Sequence, residues 1–226
     1  MLLLALLLSS PAPPQPDTHG QLTAAPVILR KQTMQGDEQL LGTQDSKFAR
    51  AVYVLSGNVE VALDKAATQR LSAGDAYYFA PGVAYKVRSS LASEPEIVTL
   101  EVAMTTASDI RALKSSAKDQ AVQGGKVALL LTKNNLGHDR FSLTRLTLGR
   151  DSEVPDHVHS DEDEIWLVLR GEAFILLQGQ AKKLSPGDAI RIPRGKQHSA
   201  KIPEQLVVLQ VFAPGGPEQR LNTAMK

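Results

Sequence analysis

Residues 157–164 read H-V-H-S-D-E-D-E, and residues 187–198 read G-D-A-I-R-I-P-R-G-K-Q-H. The segment between them contains two apolar runs, Ile165–Leu169 and Phe174–Leu177. Short apolar runs bounded by polar and glycine-containing turns indicate β-strands. The sequence around these two segments therefore predicts consecutive antiparallel strands joined by turns.

Strand geometry predicts that the two quoted segments meet. Side chains two residues apart on a strand point to the same face, so His157 and His159 can present both rings on one side. The turn at Pro193–Gly195 brings His198 to the start of another strand. An antiparallel barrel built from these strands would bring four side chains together in its interior: His157, His159, Glu164 and His198.

Imidazole and carboxylate donors together suit a divalent transition metal ion. We therefore expect one such ion per chain, and the sequence leaves Mn, Fe, Ni, Zn and Cu open. Glu164 is also the expected catalytic residue, either as a permanent ligand or as a base that leaves the metal transiently. The neighbouring acidic side chains are typical of a solvated turn that adds negative potential near the site: Asp161, Glu162 and Asp163.

The two segments resemble the signature motifs of the cupin superfamily. In the first motif, two histidines one residue apart precede a glutamate and then a glycine, here His157, His159, Glu164 and Gly171. In the second, a glycine precedes a Pro-x-Gly turn and a histidine, here Gly187, Pro193, Gly195 and His198. The resemblance implies a double-stranded β-helix, or jelly-roll barrel, that holds one metal ion on the three histidines and the glutamate. Two departures remove no ligand: the long gap from Gly149 to His157, and Ile202 where the family often has asparagine.

The same pattern occurs a second time in the first half of the chain. A-V-Y-V-L-S-G-N-V-E-V around Gly57 resembles I-W-L-V-L-R-G-E-A-F-I around Gly171. Gly57 lies 114 positions before Gly171, and Gly82 lies 113 positions before Gly195. Internal repetition on this scale indicates repeated structural units. The expected fold is therefore all-β, with two tandem cupin barrels.

The first half lacks the metal ligands. The repeat sets Thr43 and Asp45 opposite His157 and His159, Arg50 opposite Glu164, and Tyr85 opposite His198. A guanidinium in place of a carboxylate opposes metal binding, so we expect the first barrel to be metal-free. A structural role is expected for it. The alternative is an independent ligand pocket that contains Arg50, Tyr53 and Tyr85.

The domain boundaries follow from changes in composition. Residues 1–20 are expected to be a signal peptide and Pro-rich linker, because the apolar run L-L-L-A-L-L-L is typical of a signal core and too short to span a bilayer. Export to the periplasm or the extracellular space is expected, and a cytoplasmic location is the alternative. The remaining segments are expected to be the first barrel (21–104), an inter-barrel linker (105–125), the second barrel (126–213) and a tail (214–226). Within the linker, Ser108-Asp109 before I-R-A-L-K predicts a short helix.

Composition restricts the partners. The net charge of +1 and the single tryptophan, Trp166, argue against nucleic acid. No cysteine is present, which excludes disulfides, thiolate ligands and a cysteine nucleophile. The expected partner is a small-molecule substrate or ligand, without a membrane span, and a homo-oligomer is left open.

Two functional classes remain. The first is a metal-dependent oxidoreductase, similar to the dioxygenases of the cupin superfamily, that acts on a small organic acid or a phenolic compound. The second is a non-catalytic protein that binds a small molecule or metal. The site is expected to be mostly apolar, with walls from Leu146, Leu148, Trp166 and Val168. The side chains considered for proton transfer beyond the ligands are Arg145, Gln178 and Arg191. Asp161, Glu162 or Asp163 is an alternative only if their loop folds over the mouth of the site.

Overall fold

The computed structural model describes residues 4–6, 27–64, 66–90, 94–104 and 109–222. The chain divides into two compact units, Met1–Ser116 and Ala117–Lys226. Each unit contains one six-stranded sheet and one four-stranded sheet, and neighbouring strands are antiparallel. The predicted all-β class with two barrel-like units is confirmed.

In the first unit, one sheet has the strand order β1-β2-β9-β4-β7-β10 and the other has the order β3-β8-β5-β6. The strands are β1 (Leu4–Leu6), β2 (Val27–Thr33), β3 (Gln39–Gly42), β4 (Phe48–Ser56), β5 (Asn58–Leu63), β6 (Gln69–Ser72), β7 (Ala76–Phe79), β8 (Tyr85–Ser89), β9 (Glu96–Ala103) and β10 (Ala112–Ser115).

In the second unit, the corresponding orders are β11-β12-β13-β20-β15-β18 and β14-β19-β16-β17. Its elements are β11 (Gln120–Val122), β12 (Gly125–Leu131), helix α1 (Lys133–Leu136), β13 (Ser142–Leu148), β14 (Ser152–His157), β15 (Asp163–Arg170), β16 (Ala173–Leu177), β17 (Gln180–Leu184), β18 (Ala189–Ile192), β19 (His198–Ile202), β20 (Leu206–Ala213) and a 3-10 helix (Pro217–Asn222).

The sequence repeat has a direct structural counterpart. The order β1-β2-β9-β4-β7 in the first unit corresponds to β12-β13-β20-β15-β18 in the second, and the two four-stranded sheets correspond strand for strand. The units differ at the edges of the larger sheet. The first unit adds β10 beside β7, and the second adds β11 beside β12.

The strands β15 and β20 of the second unit are buried on both faces. Alternate side chains, among them Trp166, Val168, Leu206 and Val208, belong to one buried apolar cluster. On the opposite face of the same strands, Ile165, Leu167, Leu209 and Val211 are buried as well. Burial of each large apolar side chain contributes about 1.5–3 kcal/mol. The continuous apolar runs in the sequence therefore mark strands that are covered on both sides.

The predicted helix after Asp109 is wrong, because Ala112–Ser115 forms strand β10. β10 pairs with β7, whose backbone groups would otherwise lie unpaired at a sheet edge. Lys114 Nζ also donates to the carbonyl oxygen of Arg70 at 2.8 Å. These pairings outweigh the local capping signal. The expected cap residue Ser108 lies outside the described residues.

Near the N-terminus, the backbone of β1 pairs with β2. The rest of the expected signal peptide and linker, residues 1–3 and 7–20, lies outside the described part of the chain. At the other end, Glu218 is buried and accepts hydrogen bonds from Ser142 Oγ at 2.8 Å and the Gly216 backbone at 2.7 Å. The segment after Pro214 thus packs against the second unit. No helix within the described ranges is long and apolar enough to cross a membrane.

Candidate metal centre

The four predicted ligands come from both sheets of the second unit. His157 is the last residue of β14 and lies opposite His198, the first residue of β19. Glu164 is the second residue of β15, which belongs to the other sheet. Within the described residues the donor atoms of His157, His159, Glu164 and His198 all lie within 4.8 Å of one another.

The expected strand position of His159 is wrong. β14 ends at His157, so His159 lies in the following loop. The backbone N–H of Gly195 donates to the carbonyl oxygen of His159 at 2.7 Å. The Pro193–Gly195 turn, and not strand pairing, therefore holds His159 beside the other ligands.

The donor atoms face one another at short distances. Nε2 of His157 lies 3.2 Å from Nε2 of His159. Oε2 of Glu164 lies 3.2 Å from Nε2 of His159 and 3.0 Å from Nε2 of His198. Lone pairs of several neutral imidazoles and a carboxylate repel each other at this separation unless a cation or protons lie between them.

Backbone carbonyls select the imidazole tautomers. Nδ1 of His157 lies 2.8 Å from the carbonyl oxygen of Pro155, and Nδ1 of His198 lies 3.0 Å from that of Lys196. An Nδ1–H donated to a carbonyl leaves Nε2 free as a metal donor, the arrangement usual for metal-binding histidines. Nδ1 of His159 is buried and has no hydrogen-bond partner among the described residues.

The two carboxylate oxygens of Glu164 have different surroundings. Its Oε1 accepts hydrogen bonds from Trp166 Nε1 and from Gln210 Nε2. Its Oε2 faces His159 and His198. Burial opposes ionisation of this carboxyl group, but the hydrogen bonds from His159, His198 and Gln210 outweigh burial and lower its pKa far below the usual range. Glu164 is therefore a carboxylate that presents one oxygen to the centre of the cluster.

The pKa values of two histidines move in opposite directions. Burial and the neighbouring histidines lower the pKa of His157, despite its bond to the Pro155 carbonyl. Burial also acts against protonation of His198, but the hydrogen bond to Glu164 dominates and raises its pKa. Where no cation is bound, a proton shared between His198 and Glu164 can balance the buried carboxylate.

The expectation that Asp161, Glu162 and Asp163 all form a solvated turn is wrong for Asp163. Asp161 is exposed, as expected, but Asp163 is buried. The Asp163 carboxylate pairs with the Arg191 guanidinium and accepts a 2.9 Å hydrogen bond from the Arg194 backbone. Asp163 thus fixes the turn that precedes His198.

Only part of the predicted apolar wall lies beside the four proposed ligands. Leu146, Leu148, Trp166 and Val168 belong to one buried cluster, in which Trp166 contacts Glu164 through its N–H group. Phe212 lies edge-on to His159, with 5.1 Å between the ring centroids. The apolar core therefore lies behind Glu164, whereas His157 and His159 are both partly exposed.

Of the side chains considered for proton transfer, the two arginines form ion pairs and Gln178 lies in a turn. Arg145 pairs with Asp119 at 2.7 Å, and Arg191 pairs with Asp163. Arg191 lies opposite Ile165 in the sheet, so it points to the other face from Glu164. Gln178 occupies the turn between β16 and β17 with a positive φ of 50°.

The first unit holds different side chains at the corresponding positions. Tyr85 lies opposite Gly42 in the sheet, as His198 lies opposite His157, so Gly42 and not Thr43 corresponds to His157. Thr43 and Asp45 are exposed. Arg50 occupies the place of Glu164 and contacts the Tyr85 hydroxyl and Glu101. A Cβ atom on residue 42 would lie 2.0 Å from Cε1 of Tyr85, so this glycine makes room for the tyrosine ring.

Sequence analysis missed Gln210 and Asp163. Gln210 is the single polar residue in the strand L-V-V-L-Q-V-F-A, which is otherwise apolar. A lone polar side chain in a buried strand needs a hydrogen-bond partner, and this rule would have singled out Gln210. No comparable signal separates Asp163 from the two acidic residues before it.

Comparisons with known proteins agree with this geometry. The Cupin domain model matches residues 144–212, and the EutQ-like cupin domain model matches residues 42–103. Quercetin 2,3-dioxygenase of Bacillus subtilis is 32% identical over 90 residues, which are 40% of this chain and 27% of the dioxygenase. The tetracenomycin polyketide synthase protein TcmJ of Streptomyces glaucescens is 26% identical over 122 residues, which are 52% of this chain and 80% of TcmJ.

The fold is shared with a solved enzyme structure. Oxalate decarboxylase of Bacillus subtilis, studied for its Mn(II) centres, has a TM-score of 0.68 at 13% identity, over 84% of this chain and 69% of that chain. One family model falls in each unit, and the ligand pattern lies within the second match. The chain therefore belongs to the cupin superfamily as a two-domain protein.

Proposed function

We propose that this protein is a metal-dependent oxidoreductase, dioxygenase-like, that acts on a small organic acid or a phenolic compound. The observation that carries the proposal is the convergence of three imidazole Nε2 atoms and one carboxylate oxygen within 4.8 Å. This donor set fits a divalent transition metal ion, with Mn, Fe, Ni, Zn and Cu all compatible. We propose one ion per chain, held by His157, His159, Glu164 and His198.

A metal ion held by these four side chains would act as a Lewis acid or as a platform for dioxygen and substrate. The residues of the chain prepare the site for this chemistry. Backbone carbonyls hold two of the imidazoles in the tautomer that exposes Nε2. The buried cluster beneath Trp166 excludes water from the Glu164 side. Substrate access is therefore proposed from the side of His157, which is partly exposed.

Glu164 is proposed to remain a ligand throughout the reaction. Two hydrogen bonds to Oε1, from Trp166 and Gln210, resist rotation of the carboxylate away from the histidines. Any proton transfer by Glu164 would fall to Oε2, the atom that also faces His159 and His198. This constraint favours the ligand role over that of a base that leaves the metal.

The names of the relatives support the substrate class. One is a quercetin dioxygenase, whose substrate is phenolic, and a structural neighbour is an oxalate decarboxylase, whose substrate is a small acid. The chain spans only about a quarter of the dioxygenase. Transfer of either substrate class to this protein is accordingly part of the proposal.

The alternative is a cupin that binds a small molecule without turnover. The observation in its favour is that Arg145, Gln178 and Arg191, the side chains considered for proton transfer, are placed or paired elsewhere. Reconstitution of the full chain with Mn, Fe, Ni or Cu, followed by dioxygen uptake and product analysis on small acids and phenols, separates the two. Turnover that is lost in His159→Ala supports the oxidoreductase. Tight binding of an unaltered compound without turnover supports the binding protein.

Export is proposed as well, from the apolar run at residues 2–8. Expression of the full chain with fractionation and N-terminal mass spectrometry tests it. A shortened mature protein outside the cytoplasm is the expected result. An intact N-terminus in the cytoplasm would contradict it.

A further inference from the structure

We propose that the first unit contains a second, metal-independent site, built on Arg50 and Tyr85, that binds a small carboxylate with an apolar tail. The site lies at the position that corresponds to the metal centre. Arg50 stands at the place of Glu164 on β4, and Tyr85 stands at the place of His198 on β8. A cavity of about 70 Å³ opens there, with polar lining from Thr43, Ser46, Arg50 and Tyr85.

The charge of this site favours an anion. The guanidinium of Arg50 pairs with Glu101, and Arg30 pairs with the same carboxylate at 3.4 Å. Two guanidinium groups and one carboxylate leave one net positive charge beside the cavity. A divalent ion bound to Glu164 in the second unit would also leave one net positive charge. The arginines thus give the first unit the positive charge that a metal ion would give the second.

Hydrogen-bond donors remain available for the anion. The Tyr85 hydroxyl accepts a hydrogen bond from Arg50 Nη1, and its own proton is donated to no acceptor among the described residues. Nε of Arg50 also lacks a partner within the described part of the chain, but it is buried from solvent and takes no part in the proposed contact. Burial raises the pKa of Tyr85, although Arg50 acts in the opposite direction, so the hydroxyl keeps its proton at neutral pH. A hydroxyl donor beside a guanidinium suits a carboxylate.

The tyrosine ring is fixed in place for this role. It stacks on Phe79 with 3.7 Å between centroids and an interplanar angle of 17°. Gly42 leaves the space that the ring fills. A donor held on a rigid ring binds an anion at a lower entropic cost than one on a mobile side chain.

The mouth of the cavity is apolar. Leu41 and Phe48 both line it, and they are 59% and 40% exposed. They are two of the five exposed large apolar side chains in the described ranges, and exposed apolar surface of this kind commonly marks a binding site. The cavity has room for a carboxylate group, and Leu41 and Phe48 supply a surface for an attached apolar group.

Benzoate is the probe of choice, with benzyl alcohol as its uncharged counterpart. Calorimetric titration of the full, metal-loaded chain should show benzoate binding that Tyr85→Phe weakens by about tenfold or more, the usual effect of a lost hydrogen bond to a charged group. Tyr85→Phe preserves the stack on Phe79 but removes the hydroxyl that accepts from Arg50 Nη1, so it should lower the thermal unfolding midpoint by a few degrees while the chain stays folded at the temperature of the titration. Arg50→Gln leaves Arg30 paired with Glu101, which removes the net positive charge beside the cavity, and should abolish the same binding event.

Two controls separate this site from the metal centre. His159→Ala should leave the Tyr85-dependent benzoate binding intact, and benzyl alcohol should bind at least tenfold more weakly than benzoate. No benzoate binding to the folded wild type, or equal affinity in Tyr85→Phe, would overturn the proposal. It would also be overturned if Leu41→Ser altered only the oligomeric state, because the apolar rim would then be a contact between copies of the chain.

Discussion

Gln210 Nε2 donates a hydrogen bond of 2.6 Å to Oε1 of Glu164, and this bond directs Oε2 of the same carboxylate toward the histidines. Gln210 is itself oriented, because its Oε1 accepts a hydrogen bond of 3.1 Å from Thr144 Oγ1. All three side chains are buried. A chain of hydrogen bonds across three strands therefore sets the position of one proposed metal ligand.

Gln210→Leu should weaken metal binding about 10- to 100-fold, the usual range when a group that orients a ligand is removed. The physical reason is that Glu164 loses one of the two donors that hold Oε1. Thr144→Val should have a smaller effect in the same direction, because it leaves the bond between Gln210 and Glu164 in place. Competition with a metal indicator measures both. Unchanged affinity in Gln210→Leu would show that Trp166 alone suffices.

The purified full chain should contain one divalent ion after reconstitution, and His159→Ala should lower its occupancy sharply. His138→Ala is the matched control, since His138 lies in the same unit outside the cluster. Elemental analysis by mass spectrometry measures the occupancy. Two ions per chain, or full occupancy in His159→Ala, would be inconsistent with a single site on the four proposed ligands.

Tyr85→His should not create a second metal site in the first unit. The new imidazole would face Arg50, whose guanidinium repels a metal cation, and Gly42 offers no side chain at the position of His157. Elemental analysis should again give one ion per chain. A stoichiometric second ion would mean that Arg50 does not oppose metal binding as argued.

Asp163→Asn should lower the free energy of unfolding by about 1–3 kcal/mol, because the Arg191 guanidinium and the Arg194 backbone N–H lose a charged, buried acceptor. Metal affinity should also fall, since this contact fixes the turn before His198. Asp161→Asn is the matched control, and as an exposed change it should alter stability by less than about 0.5 kcal/mol. Urea unfolding of both variants decides the matter. Equal stability of the two variants would show that the Asp163 contacts do not stabilise the turn before His198.

Asp75 makes the stability of the first unit depend on pH. Burial opposes its ionisation, but hydrogen bonds from Ser116, the Ser72 backbone and Lys114 prevail and lower its pKa. A lowered pKa in the folded state means that the stabilisation is present above about pH 4, the ordinary pKa of an aspartate, and is lost as the pH falls further. The Lys114 side chain is 36% exposed, so solvent screens its ion pair with Asp75 and we expect at most about 1 kcal/mol.

Asp75→Asn should therefore be less stable than wild type at pH 7, and the difference should shrink progressively as the pH falls below about 4. Asp188→Asn is the matched control, because the Ser185 backbone donates to Asp188 at 2.9 Å just as the Ser72 backbone donates to Asp75 at 2.9 Å. The pH 7 loss should be larger for Asp75→Asn, since only Asp75 is also bonded to Lys114 of β10 and to Ser116 just after it. A difference from wild type that does not shrink below about pH 4 would rule out an ionisation effect.

The sequence alone was sufficient for the all-β fold, the repeat and the cluster of three histidines and one glutamate. The fold follows from local rules, because short apolar runs bounded by polar and glycine-containing turns indicate β-strands. The four side chains lie in the two motifs themselves, so their identities required no knowledge of distant contacts. The offset between the halves also located Arg50 and Tyr85.

Only the tertiary structure revealed the contacts that join distant segments. Gln210 lies 46 positions from Glu164, and Asp163 lies 31 positions from Arg194. Strand pairing brings them together, and no local pattern encodes which acidic residue of a turn will be buried. The same applies to Ala112–Ser115, where a free sheet edge outweighed a local helix signal. Sequence thus determined which residues form the candidate site, whereas long-range pairing decided how each is held, because hydrogen-bond partners depend on proximity in space.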